Sequence, residues 1–198
     1  MGWLFLGNNK SSVSLTYISL IAVGSFSLAI AFSIISELLV RNLDNLALTF
    51  IMLLIIIFTG VIFDMLGTAV TAANESPLHA KATKRVLGAQ QGIVLVRNAD
   101  RVANISNDVI GDIAGTVSGA LGISIVARVA LQYPGMDALV LNILITACVA
   151  ALTITGKALG KKFALDNCDK IIFFVGKLMA HVEKIIGCDP YRKCRRQK

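Results

Sequence analysis

The sequence predicts an all-α, polytopic membrane protein with four transmembrane helices and amphipathic helices lying at the interface. Three observations carry that prediction. The 198-residue chain is 56% hydrophobic, with mean hydropathy +0.74. Only 16% of its residues are charged, few for a soluble domain of this size. Its apolar residues gather in runs long enough to cross a bilayer, which takes about 20 helical residues.

The N-terminal Trp3-Leu4-Phe5-Leu6 has no positive region before it, so it does not read as a cleaved signal. Leu6 stands where N-myristoylation requires Ser or Thr. The first span runs from Val13 to Ile35, uncharged, with small residues at Gly24, Ser25, Ser27, Ala29 and Ala31. A polar loop over Glu37–Asn45, with Glu37, Arg41 and Asp44, leads to the second span, Leu46 to about Ala73.

Asn74–Ala103 is long for a loop. Ser76 as N-cap and Pro77 in the first turn predict a helix there. Gly88 predicts a break, and Ile93, Val94, Val96 and Arg97 a second short helix. Apolar and basic residues alternate at helical spacing, so residues 75–103 are predicted to lie in the membrane interface. The third span, Asn104–Leu131, carries Gly111, Gly115 and Gly119, two overlapping G-x-x-x-G motifs, and then Gly122. A turn at Pro134-Gly135 leads to the fourth span, Met136–Gly156, which Lys157, Lys161 and Lys162 end. Residues 1–162 thus form a transmembrane domain, and 163–198 a basic amphipathic tail. In the tail, a helix over Phe163–Ile186 has Ile171, Ile172, Phe174, Val175, Leu178, Met179, Val182, Ile185 and Ile186 on its apolar face. Lys170, Lys177 and Lys184 recur on its polar side, and Gly187 and Pro190 close it.

Net charge is +7, unevenly spread: residues 157–198 hold eleven Lys or Arg against four acids. That predicts a tail on an anionic lipid surface; the tail has no recognisable nucleic-acid fold, so nucleic acid is excluded as partner. The connector is also basic, with Lys81, Lys84, Arg85, Arg97 and Arg101, and Lys10 precedes the first span. The positive-inside rule then places both termini in the cytosol of a multi-pass cell-membrane protein. Arg128 is the exception, either snorkelling outward or pairing with Asp137. The sequons at Asn9, Asn74 and Asn104 fall on the predicted cytosolic side and are discounted. Cys148 reads as packing; Cys168, Cys188 and Cys194 read as free thiols, with zinc binding or palmitoylation at Cys188 and Cys194 as alternatives.

The chemistry concentrates in the second and third spans. Asp64 lies inside an apolar run, where a carboxylate costs roughly 2.5–3.5 kcal/mol on insertion scales. Such a group pairs, lines a wet cavity or holds an ion. Thr68 and Thr71 follow it at i+4 and i+7 and share its helical face. In the third span Asn107 and Gly111 are four residues apart, as are Asp108 and Asp112, with Thr116 continuing the second row. Carboxylates, an amide, hydroxyls and a backbone bared at Gly111 make an all-oxygen set suited to a hard cation, Mg²⁺ or Na⁺. The plainer alternatives are water-facing Asn107 and Asp108 at a helix start, a structural partner such as Arg101 for Asp64, and simple helix packing for the glycines. No nucleophile–base pair, phosphate-binding loop or dinucleotide fingerprint occurs, so the chain is not read as an enzyme and takes no organic cofactor.

The run Phe63-Asp64-Met65-Leu66-Gly67-Thr68-Ala69-Val70-Thr71-Ala72-Ala73-Asn74-Glu75, the connector, and Asn107-Asp108-Val109-Ile110-Gly111-Asp112-Ile113 together resemble the transmembrane domain of the CorB/CorC/CNNM magnesium transporters. The resemblance covers about residues 50–160. It implies a homodimer holding Mg²⁺ between these helices and, for several members, coupling to Na⁺ entry; of the metal set read from the residues, Asp64, Thr68, Thr71, Asn107, Asp108, Gly111 and Asp112, Asn107 fits the family's Asn position, while Asp108 and Asp112 add charge. The family pattern F-S-x-S-E-T-A is altered: Asp64 and Leu66 stand for its serines and Gly67 for its glutamate. The regulatory CBS pair that usually follows has no counterpart after Lys162. The competing expectation is a non-transporting scaffold or accessory subunit that docks a partner through its basic tail.

Overall fold

The computed structural model describes residues 15–41, 45–133, 135 and 137–186. The expectations for Lys10, Asn9, Asp44, Pro134, Gly187, Pro190, Cys188 and Cys194 fall outside these residues. Among the described residues all regular structure is helical. The elements are α1 (Leu15–Arg41), α2 (Leu46–Ala72), α3 (Glu75–Thr83), α4 (Ala89–Arg97), α5 (Ala99–Ala103), a π-helical segment (Asn104–Gly111), α6 (Asp112–Gln132), α7 (Ala138–Asp166) and α8 (Cys168–Ile186).

Three of these stretches are long and apolar enough to cross a membrane: Leu46–Ala72, the continuous Ala99–Gln132, and Ala138–Asp166. In α1 the described apolar stretch is shorter, Ala22–Ile35. Asn45 starts α2 by accepting a hydrogen bond from Ala47 N (2.9 Å), and Asp137 starts α7 in the same way through Leu139 N (2.9 Å). Each side chain satisfies an amide that the first turn leaves without a partner.

Alpha-2 is the centre of the bundle. Its Leu53, Ile57 and Val61 form one core with Ile113, Val117, Leu121 and Ile125 of α6 and Val149 of α7. Its outward side chains, such as Phe58 and Ile62, are exposed, as are Ile143 and Ile154 of α7. Apolar surface of that extent suits hydrocarbon surroundings. A second core lies at one end, where Ala69 and Val70 of α2 meet Leu78 of α3, Ile93 and Leu95 of α4, Ala164 of α7 and Ile172 of α8. The connector and α8 therefore cap the same end of the bundle, as a hairpin of two spans between them requires.

Several boundaries differ from the sequence expectation. The first connector helix is preceded by Asn74 rather than capped by Ser76. Alpha-7 does not stop at the lysines; it continues to Asp166, so the 162/163 division falls inside a helix. None of the three lysines lies in the last turn of α7, and Lys is a good helix former in a helix interior, so it does not end the helix. Alpha-8 starts only at Cys168, and it is packed on α4 rather than free. Small residues make that contact. Gly176 lies against Gly88 O and Gly92, leaving no room for a Cβ. Gly88 itself takes φ +90°, which breaks the chain between α3 and α4 as its sequence suggests. Ile172 and Ala180 are buried beside the contact, while Phe174, Leu178, Val182 and Ile185 face outward.

The glycine strip also differs. Among the described residues, positions 115 and 119 meet nothing within 4 Å of a built Cβ, so their G-x-x-x-G motif packs against none of them. Close packing runs instead through Gly60 of α2, whose Cβ would stand 2.9 Å from Ala114 Cβ, and through Gly156 and Gly160 of α7 against Val61 and Met65.

Candidate functional site

The site forms where α2, the π segment and α7 meet. Asp64 is 3% exposed. It lies eight residues before Ala72, so about 12 Å from the capped end of α2. Among the described residues its Oδ2 has no hydrogen-bond partner. Lys161 Nζ of α7 stands 3.6 Å from that oxygen, an ion pair beyond hydrogen-bonding distance. Lys161, rather than Arg101, is thus the cation beside Asp64.

Across from Asp64 the chain leaves α-helical geometry. Over Asn104–Gly111 the backbone widens to a π-helix, a form concentrated at functional sites. Gly67 of α2 makes room for it: a Cβ there would overlap the Asn107 carboxamide, with Nδ2 at 2.9 Å. Asn107 is half-buried, and its Oδ1 has no partner. The same is true of Asn104 Oδ1. Gly111 lies between the remaining groups. A Cβ built on it would sit 3.4 Å from Ser106 O, 3.7 Å from Lys157 Nζ and 4.0 Å from Asp64 Oδ1.

The other predicted ligands are placed differently. Asp108 is exposed and accepts a hydrogen bond from Asn104 Nδ2 at 2.9 Å. Asp112 is exposed and accepts from Lys157 Nζ at 3.4 Å. Thr68 Oγ1 donates to Asp64 O (2.9 Å), and Thr71 Oγ1 to Thr68 O (2.9 Å). Both hydroxyl protons therefore stay on α2, leaving only their oxygen lone pairs for another partner. The structure brings Gly111 beside Asp64 and sets the Asn107 carboxamide against Gly67, one turn along α2, and it leaves Asp108 and Asp112 at the rim. Among the described residues no three His, Cys, Asp or Glu side chains gather closely enough to hold a metal ion.

Lys157 and Lys161 are absent from the predicted set. Their signal was present in the sequence: two lysines at i and i+4, followed by Phe163-Ala164-Leu165, share a helical face within an apolar run. Arg128, at the other end of the bundle, reaches Thr49 Oγ1 at 3.5 Å.

The belt around the site is held by polar contacts. Glu75 of α3 accepts from Arg97 Nε (3.2 Å) and lies 3.0 Å from His79 Nε2. The hydrogen bonds from His79 and then Arg97 hold its carboxyl below the ordinary value of 4.5. Buried Gln91 donates to Glu183 Oε2 (2.8 Å), tying α4 to α8, and Lys81 Nζ stands 4.0 Å over the Phe173 ring.

No protein-family profile, curated protein or solved structure matches this chain.

Proposed function

We propose that this protein is a membrane cation carrier whose ion is bound between Asp64, the Asn107 amide oxygen and the backbone at the π segment. One observation carries the reading: Asp64 is almost fully buried in an apolar span and has an oxygen without a hydrogen-bond partner. A carboxylate in that setting is costly unless a cation offsets it, and Lys161 does so only from beyond hydrogen-bonding distance, leaving that oxygen a coordination position for an ion. Orphaned amide oxygens at Asn104 and Asn107 supply neutral acceptors on the facing segment.

The donor set favours a monovalent ion. Mg²⁺ demands near-octahedral oxygen coordination, commonly with one or two carboxylates and several waters. Here a single carboxylate is buried, and two lysines share the site. One negative charge with neutral oxygens balances Na⁺ and leaves Mg²⁺ under-compensated. The likeness to the CorB/CorC/CNNM transmembrane domain supports a cation as cargo, and Na⁺ is one of the ions it brings in. On this reading α1 is a fourth span, both termini are cytosolic, and α3, α4 and α8 lie in the cytosolic interface. The outward row Phe174, Leu178, Val182 and Ile185, flanked by Lys170, Lys177 and Lys184, suits an anionic lipid surface. The open positions 115 and 119 of α6 leave space for a second copy in the homodimer the likeness implies.

Liposomes containing the full chain test the proposal with Na⁺- and Mg²⁺-sensitive dyes. Asp64→Asn is expected to cut Na⁺ flux at least about tenfold, the equivalent of about 1.4 kcal/mol. Asp112→Ala is expected to leave most of it. Flux of neither ion by the wild type, or full flux by Asp64→Asn, sinks the reading.

A further inference from the structure

We propose that Lys161 is a tethered counter-cation: its ammonium holds Asp64 while the site is empty and leaves when an ion binds. The inference rests on the reading that Asp64 binds the transported cation. Three observations support it. The ammonium is close enough for an ion pair, 3.6 Å from Asp64 Oδ2, yet too far for a hydrogen bond. It therefore offsets the charge without completing the carboxylate's coordination. The two partners also differ sharply in exposure: the Asp64 side chain is 4% exposed and the Lys161 side chain 51%. Asp64 cannot leave, but Lys161 has a way out to solvent on a flexible four-carbon stem. Finally, Lys157, one turn earlier on α7, is engaged with Asp112 at 3.4 Å. Its ammonium is directed to Asp112 rather than to Asp64.

The charge balance closes. A monovalent ion entering and one ammonium leaving keep the net charge around Asp64 constant, so neither state strands a buried carboxylate. A divalent ion breaks that balance by one unit. The device would thus select monovalent over divalent cations by charge, beyond any effect of cavity size. It also predicts competition, since the ion must displace an occupant already present.

The test uses the full chain in nanodiscs and an amine-acylating reagent, with peptide mass spectrometry as readout. In NaCl, Lys161 is expected to acylate several-fold faster than in choline chloride, with Lys162 as an unchanged neighbour. In Asp64→Asn, Lys161 should react fast in both salts. Lys161→Met should bind Na⁺ at least about tenfold tighter than the wild type, measured with radioactive sodium. Should Lys161→Met fail to fold, the labelling of the unmodified chain decides. If the wild type binds Na⁺ but Lys161 labelling ignores it, the counter-cation idea is overturned and the carrier reading stands. If the wild type binds no Na⁺ and Asp64→Asn labels like wild type, both fall.

Discussion

Lys161 and Lys157 stand one turn apart on α7, and each faces a carboxylate on a neighbouring element at a similar distance, 3.6 and 3.4 Å. Asp64, the partner of Lys161, is buried where α2, the π segment and α7 meet, and Lys161 is 51% exposed; Asp112, the partner of Lys157, is 73% exposed, and Lys157 22%. The chemistry is the same and the energetics are not. A pair whose carboxylate is exposed contributes about 0–1 kcal/mol, because water competes for that carboxylate. A buried carboxylate that loses its cation keeps its desolvation cost with nothing to offset it. Position therefore separates a site residue from a rim residue where residue type does not.

The largest expected effect exploits that difference directly. In choline chloride, Lys161→Met should lower unfolding stability by about 3 kcal/mol, the low end for breaking a buried pair, because the lysine itself is half in solvent. Lys157→Met should cost less than about 1 kcal/mol. Denaturant titration in micelles compares them. Equal losses would mean that Asp64 is wetter than its burial indicates, and the contrast between the two pairs would disappear. Added Na⁺ should restore part of the Lys161→Met loss, since a ligand binding only the folded state stabilises it.

The glycines sharpen the same contrast at the next level of magnitude. Gly176→Ala pushes a methyl into the backbone of Gly88 and Gly92, which cannot yield as a side chain can. A loss of about 1–3 kcal/mol is expected, as for other overpacked contacts. Gly67→Ala meets only the Asn107 amide, which can rotate away. Its stability loss should be smaller, but Na⁺ flux should fall with Asn107 displaced. Gly115→Ala meets open space and should gain roughly 0.5–1 kcal/mol from helix propensity. A destabilised Gly115→Ala in detergent would reveal a contact outside the single chain.

These contrasts also mark what a linear reading can reach. Alpha-2 was legible almost to the residue, since its apolar run is bounded by Asn45 and Asn74. Asp64 was legible because an acid inside such a run is conspicuous. Asn107 and Gly111 were legible as a row, although the π-helix that sets their placement follows from packing against Gly67 and leaves no mark in periodicity. The lysines were misread for a physical reason: the positive-inside rule explains a Lys at a span end without asking what it faces. The G-x-x-x-G rule is incomplete in a similar way. It identifies helices that can approach closely, not which face meets a partner, and Gly156–Gly160 carries the same spacing as Gly115–Gly119.

Glu75 extends the comparison of carboxylates to the belt, where the smallest effect is expected. It is paired like Asp64, but with His79 and Arg97 in reach of water. Its folded pKa lies below the ordinary 4.5, chiefly through the His79 hydrogen bond and then that of Arg97. A depressed carboxyl pKa means that folding favours the ionised form. The stabilisation is then fully present above the ordinary value and is lost as pH falls through the folded one. Melting temperatures of wild type and Glu75→Gln, compared from about pH 6 to about pH 3, should differ slightly at the upper end and converge at the lower. A gap that instead widens on acidification would place the pH-sensitive stabilising contact elsewhere than at the Glu75 carboxylate.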